Sequence, residues 1–339
     1  MKILHLGFHK GLFNDLQYVS EQLGLDIQYL KFTDGCTKGG AIYNIGHKRA
    51  HDTWIKFQNF YNQFDLIITS DTCPISRVFL QNQFKGKLII WICNRFDYCD
   101  TSSNDCNFPD NEYYELLRNA KTNKNVKIFS YTKFEHTYAQ RKRVNIGSEI
   151  IKPCGFISKL FQQNELSFKN DNKIPITINK NEMFFVPPYH NDTIMINLSA
   201  ILTSHKISNY CGKYGGPNDL VDFKGIVHIP YAWSNLSLFE AIQLEIIFFI
   251  PSLDFILELF RKNRRKFFWS PPYRRNKLHE SEWYCEENKN LFIYFSSWND
   301  LKQKVNNIDY NAKKNYIKNF GINHNKQMLE KWKNAFDFN

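Results

Sequence analysis

Short apolar runs alternate with longer stretches whose apolar residues recur at helical spacing, and this alternation continues through most of the 339 residues. MKILHLGF reads as a buried strand. HKGLFNDLQYVSEQLG then reads as a helix, with Leu12, Leu16, Val19 and Leu23 forming its apolar stripe and Gly24 ending it. IQYLKF is a second strand, HDTWIKFQNFYNQF an amphipathic helix, and DLIITSD a third strand ending at Asp71. The helix ISRVFLQNQF leads to the strand KLIIWICNRFDY, and the helix NEYYELLRNA leads to the strand KIFSYT. KFEHTYAQRKRV is a basic helix, and SEIIKPCGF reads as the last strand of this half. Strands that alternate with helices in this way form a parallel sheet, so the fold class is α/β.

At 161–182 the composition shifts to Gln, Asn and Lys, which marks a linker. MFFVPP restarts the pattern, and YHNDTIMINLSAIL follows with Asn191, Asp192 and Thr193 as helix caps. KISNYCG is the next strand, and the glycine turn KYGGPNDL carries Lys213 and Tyr214. The stretch 225–252, GIVHIPYAWSNLSLFEAIQLEIIFFIPS, is a strand–helix–strand unit, of the roughly 30 residues that a βαβ crossover takes. LDFILELF begins another helix, LFIYFSSWNDLKQKV a last strand and helix, and 313–339 is a helical region interrupted at Gly321. The domain expectation is 1–160, a linker at 161–182, a second domain at 183–312 and the closing helical region. A soft prior of roughly 150 residues per domain agrees with two.

Composition adds little about the fold and more about partners. The hydrophobic fraction of 43% supports sizeable cores, and the net charge of +11 favours anionic partners: nucleotide diphosphates, phospholipid headgroups or nucleic acid. None of the 8 Cys forms a C-x-x-C pair, so no zinc or redox signature is present. MKILHLGFHKG lacks a long apolar core and is not a secretory signal. No run approaches the about 18 apolar residues of a membrane span. The expectation is a cytoplasmic protein with reduced thiols.

Candidate chemistry gathers after the strands, where α/β proteins place their ligands. Asp71 follows one strand, and Asn94, Arg95 and Asp97 follow another. Turn and capping chemistry is the plain alternative there, since Asp and Asn favour both. Between 225 and 252, Tyr231, Ser234, Asn235, Leu236 and Ser237 lie where a strand gives way to a helix. Free backbone N–H groups at such a helix start attract phosphate. Glu240 lies about one turn further in.

This stretch resembles the donor-sugar motif of GT-B glycosyltransferases, in which a polar loop opens a helix whose glutamate holds the ribose of a nucleotide sugar. Glu240 and Ala241 match the glutamate–alanine pair. Retaining members carry a second glutamate eight positions earlier, where this chain has Ala232, and a glycine where it has Glu245. The resemblance implies two Rossmann-like domains facing each other across a cleft, with a C-terminal helix returning to the first. It implies a glycosyltransferase of glycan biosynthesis that takes its sugar from a UDP-, GDP- or dTDP-linked donor and needs no metal and no further cofactor. It implies donor contacts from Tyr189, His190, Asn191, Asp192 and Thr193, with Lys213 supplying a cation and Tyr214 beside it. The loop with Gly7, Lys10 and Gly11 is the one that reaches toward the sugar. With Ala232 in place of a glutamate, inversion is favoured while retention stays open, and inversion needs a general base. His9, Asp71 and Asp97 are the candidates; His9 stands first because histidine titrates near neutral pH.

Two other readings stay open: a non-catalytic two-lobed protein that binds a nucleotide or a sugar, and a nucleotide-sugar epimerase. The acceptor is not legible. The segment 261–275 combines Arg261, Lys262, Arg264, Arg265, Lys266, Arg274 and Arg275 with Phe267, Phe268 and Trp269. A solvated helix end and a peripheral membrane contact compete there. No nucleic-acid motif accompanies it, so nucleic acid is not an expected partner.

Overall fold

The computed structural model describes residues 1–32, 45–82, 84–93, 96–97, 110–156, 179–188, 196–263 and 277–338. The chain divides into two compact units, Met1–Cys154 with Lys326–Asn339, and Gly155–Asn325.

The first unit holds the strands β1 (Ile3–Gly7), β2 (Ile27–Lys31), β3 (Leu66–Thr69), β4 (Lys87–Ile92) and β5 (Val126–Ser130) in the order β2-β1-β3-β4-β5. Every neighbouring pair is parallel. The helices are α1 (Lys10–Leu23), α2 (His47–Tyr61), α3 (Arg77–Leu80), α4 (Asn111–Thr122) and α5 (Lys133–Arg141). β1, β3 and most of β4 are buried along their length, which is why they read as short, largely apolar runs. α1 ends as its sequence requires: Gly24 takes φ 65° and returns its N–H to the Ser20 carbonyl, a left-handed cap that glycine accepts without a Cβ penalty.

The second unit repeats the plan. Its strands are β6 (Phe184–Phe185), β7 (Asn209–Tyr210), β8 (Gly225–Val227), β9 (Phe248–Pro251) and β10 (Ile293–Phe295), in the order β7-β6-β8-β9-β10. All pairs are again parallel. Its helices are α6 (Leu198–Ser204), α7 (Leu236–Gln243), α8 (Leu253–Lys262) and α9 (Trp298–Asn307). α10 (Tyr310–Phe336) begins in this unit and ends in the first. The two α/β sheets thus share one strand order, that of the flavodoxin-like doubly wound fold.

Each unit has its own core. Trp54, Phe79, Ile90 and Leu117 belong to the first, and Phe185, Phe239, Phe249 and Phe295 to the second. The last turns of α10 complete the first unit. Trp332 is fully buried there, edge-on to Trp91 at 5.0 Å, and Met328 Sδ accepts the Lys152 amide at 3.2 Å.

Two expectations need correction. SEIIKPCGF forms no strand; a single bridge joins Ile150 to Ser130, and the segment is held instead by Trp91 Nε1 donating to the Ile151 carbonyl at 2.8 Å. Gly321 does not interrupt its helix: α10 runs through it. A Cβ at 321 would lie 3.2 Å from Ile242 Cγ2, so close approach to α7 outweighs glycine's poor helix propensity. The described helix after β6 starts at Leu198 with Asn197 as its cap, Oδ1 accepting the Ala200 N–H at 2.9 Å. Asn191, Asp192 and Thr193 lie outside the described residues, as does 161–178 of the expected linker. Among the described residues Cys73, Cys93, Cys154, Cys211 and Cys285 are free thiols, and no helix is long and apolar enough to cross a membrane.

Candidate functional site

In a doubly wound sheet the ligand crevice opens at the carboxyl ends of the two strands where the order reverses. The first unit reverses between β1 and β3, the second between β6 and β8. Most of the described candidates fall at these points.

At the first reversal, β1 ends in Gly7. A Cβ there would lie 2.6 Å from Ser70 Oγ, so a larger residue would displace the Ser70 side chain. Beneath it His5 and Ser70 are both buried, with Nε2 and Oγ 2.7 Å apart. Burial pulls the His5 pKa down to about 3, so this imidazole is a neutral core group. His9 is exposed and caps α1, its Nδ1 accepting the Gly11 N–H at 3.2 Å. Burial of part of the ring lowers its pKa. With Nδ1 engaged, a neutral ring carries its proton on Nε2 and has no free lone pair for an acceptor. Lys10 is exposed and opens α1, and Gly11 follows it.

Asp71, two residues past the end of β3, is in a different state. Its φ is 73°, a left-handed conformation that few non-glycine residues adopt and that Asp and Asn tolerate best. Its carbonyl accepts the Cys93 N–H at 3.2 Å, which ties it to the end of β4. Burial raises its carboxyl pKa to about 7. Cys93 and Tyr131 stand close enough for their own pKa values to feel its charge, and burial pushes both well up.

Asp97 is buried, and its Oδ2 accepts the hydroxyls of Tyr114 at 2.8 Å and Tyr138 at 3.2 Å. Cys73 stands close enough to feel the charges of Asp97 and Glu135, and two phenols hold Asp97 Oδ2 while Oδ1 is buried with no hydrogen-bond partner among the described residues. Asn94 and Arg95 lie outside the described residues.

At the second reversal β8 ends at Val227 and His228 follows, buried and 4.6 Å from the Trp283 ring. The chain then runs through Tyr231 and Asn235 to the start of α7. Asn235 is the cap residue, yet its side chain makes no cap bond; Nδ2 donates to the Tyr231 hydroxyl at 2.6 Å. Ser234 Oγ and Asn235 Oδ1 are buried without a hydrogen-bond partner among the described residues. An uncapped helix start keeps its first N–H groups, among them those of Leu236 and Ser237, available to an anion. Glu240 lies one turn along α7 and adds to the burial-driven rise in the pKa of Tyr214, so the fold sets the turn after β7 beside it. Tyr214 is exposed and packs edge-on against Phe185 at 5.1 Å. Lys213 is exposed on the same turn, its carbonyl accepting from the Tyr210 hydroxyl at 3.1 Å. Gly155, at φ 77°, abuts the α7 backbone so closely that a Cβ would lie 2.2 Å from the Phe239 oxygen.

The two departures from the motif have structural counterparts. Glu245 adopts φ 58°, the backbone conformation for which glycine is the usual choice, and Lys318 Nζ stands 3.6 Å from its carboxylate. The Ala232 carbonyl accepts Trp283 Nε1 at 3.1 Å, which draws the segment 277–285 against the loop before α7. That segment carries Glu280, buried, with Lys277 Nζ 2.6 Å from its Oε1. Glu280 is not among the residues that the sequence singles out. The nearest signal was the acidic and aromatic run HESEWYCEE, which has no motif spacing.

Tyr189, His190, Asn191, Asp192 and Thr193 lie outside the described residues, as do Arg264, Arg265, Lys266, Arg274 and Arg275; Arg261 and Lys262 end α8, both exposed. Among the described residues no group of three or more His, Cys, Asp or Glu side chains could hold a metal ion.

No protein-family model matches the sequence, and no curated protein resembles it at the level of sequence. Solved structures do resemble it. The glycotransferase of kitacinnamycin shares 8% identity, with 99% of each chain covered and a TM-score of 0.51. UGT89C1 of Arabidopsis thaliana, in complex with quercetin, shares 9% identity over 98% of each chain with a TM-score of 0.49. The UDP-GlcNAc 2-epimerase of Methanocaldococcus jannaschii shares 10% identity, covering 90% of this chain and 92% of its own, with a TM-score of 0.42. The first of these likenesses places the chain in the GT-B fold.

Proposed function

We propose that this chain, built on the GT-B fold, is a glycosyltransferase that moves a sugar from a nucleotide diphosphate donor to an acceptor hydroxyl. The observation that carries the reading is the start of α7. It is an uncapped helix N-terminus at the strand-order reversal of the second unit, with Glu240 one turn further on and Tyr214 beside it. A diphosphate leaving group develops charge as its bond to the sugar breaks, and helix N–H groups aimed at that charge stabilise it. Glu240 accepts the two ribose hydroxyls in this reading. The fold shared with the glycotransferase of kitacinnamycin supports it.

In the first unit Asp71 is the general base we propose. The acceptor oxygen bonds to the anomeric carbon and gives its proton to Asp71, while the electron pair of the breaking carbon–oxygen bond leaves on the diphosphate. A single displacement of this kind inverts the anomeric centre. Asp71 is favoured over His9, whose free lone pair already caps α1, and over Asp97, which two phenols hold.

The test is calorimetry with UDP, GDP and dTDP. One of the three is expected to bind, and Glu240→Ala to weaken it about ten- to hundred-fold, since a charge-assisted contact contributes about 1.5–3 kcal/mol and each 1.4 kcal/mol is a decade. Unchanged affinity for all three would leave the glutamate a structural role only. Release of free nucleoside diphosphate in the presence of an acceptor separates a transferase from a binding protein. Because helix N–H groups and Lys213 offset the leaving charge in this reading, turnover is expected to survive EDTA; its loss, with recovery on adding Mg²⁺, would overturn the metal-free mechanism.

A further inference from the structure

Ser234 Oγ, Asn235 Oδ1 and Glu280 Oε2 are buried polar atoms with no hydrogen-bond partner among the described residues. Buried polar groups in folded proteins are nearly always paired, and these three belong to segments that lie side by side. The Glu282 N–H donates to the Trp233 carbonyl at 2.9 Å, and Trp283 Nε1 to the Ala232 carbonyl at 3.1 Å. Glu280 and Asn235 each stand two residues from that Glu282–Trp233 junction, and Ser234 stands one residue from it.

The chemistry of the three atoms says what is missing. Glu280 is 4% exposed; Lys277 engages Oε1 at 2.6 Å and leaves Oε2 open. Asn235 gives one of its two amide N–H groups to the Tyr231 hydroxyl, and its carbonyl oxygen is the atom left without a partner among the described residues. A carboxylate oxygen and an amide oxygen only accept, and a serine hydroxyl does either. A diphosphate, which presents acceptors alone, does not satisfy such a set. A polyhydroxyl compound does. The loop that holds Glu280 is braced to present it: the Tyr284 hydroxyl donates to the Pro251 carbonyl at 2.9 Å, and Asn288 Nδ2 to the Glu282 carbonyl at 2.9 Å.

We propose that Glu280, with Asn235 and Ser234, binds hydroxyls of the sugar carried on the nucleotide and so selects which sugar the protein accepts. This rests on the donor-site reading of α7.

The experiment compares matched pairs by calorimetry: UDP with UDP-glucose and UDP-N-acetylglucosamine, GDP with GDP-mannose, and dTDP with dTDP-glucose. For the nucleotide that binds, Glu280→Gln is expected to weaken the sugar-bearing partner about tenfold or more and the bare diphosphate less than about twofold. A purely structural glutamate would move both together, and that result, or no change in either, overturns the inference while the donor-site reading stands. A wild-type protein that binds no pair overturns both. Should Glu280→Gln fail to fold, the unmodified protein still decides the matter through monodeoxy derivatives of the preferred sugar nucleotide. At least one is expected to bind about tenfold more weakly, and equal binding across the series overturns the inference.

Discussion

Asp71→Asn is expected to lower turnover by about 10²–10⁴-fold, the usual contribution of a positioned general base, while nucleotide affinity stays unchanged. The substitution is a clean one. Asn tolerates positive φ as well as Asp does, so the backbone at φ 73° is kept and the Asp71 carbonyl still accepts from Cys93. Only the proton acceptor is lost. Burial raises the Asp71 pKa to about 7, so the wild-type rate is expected to fall as pH drops below about 7 and the variant to show no such limb. The same shift has a consequence for stability. A carboxyl whose folded pKa lies above its unfolded value destabilises the native state as it ionises, so wild-type stability falls between about pH 4 and pH 7. Asp71→Asn is therefore expected to be more stable than wild type at pH 8, with the difference vanishing below pH 4. Near-normal turnover in the variant would move the base elsewhere; His9→Gln, tested beside it, shows whether it lies on the loop after β1.

Trp332→Ala is expected to cost about 3–5 kcal/mol, the range for removing a large buried aromatic, out of a total that is typically about 5–15 kcal/mol. Trp332 is fully buried in the first unit, edge-on to Trp91 at 5.0 Å and tilted against Phe129 at 6.4 Å. Its indole N–H has no hydrogen-bond partner among the described residues, so the loss is one of packing alone. Trp332→Phe, which keeps an aromatic ring, is expected to cost clearly less. Urea unfolding followed by circular dichroism checks this: at a slope of about 3 kcal/mol per M, the alanine variant should shift the midpoint by about 1–2 M. A shift below about 0.3 M would show that the last turns of α10 are dispensable to the first unit.

The parallel α/β class was legible because fully buried strands leave a mark that needs no neighbours. β1, β3 and β9 are mostly apolar and buried from end to end, and α1 carries both its stripe and its terminal glycine. The crossing that carries Ser234, Asn235 and Glu240 was legible for a related reason, since a strand, a polar loop and a helix within one short stretch fix it locally. Gly321 misled because propensity is a local quantity and its role is not: it lets α10 approach Ile242.

Strand order, by contrast, is written nowhere in a periodic pattern. It depends on which side of β1 each crossover returns, and it alone sets Asp71 rather than Asp97 at the reversal between β1 and β3. The left-handed backbone of Asp71 and the burial that shifts its carboxyl follow from that position. His9 looked foremost for its intrinsic pKa, and only folding showed Nδ1 occupied as a helix cap. Glu280 lies about 45 residues from Asn235 along the chain, and two hydrogen bonds to the loop before α7 bring its segment alongside. Local physics wrote the strands, the helices and the start of α7 into the sequence; long-range closure decided which polar atoms were left without a partner.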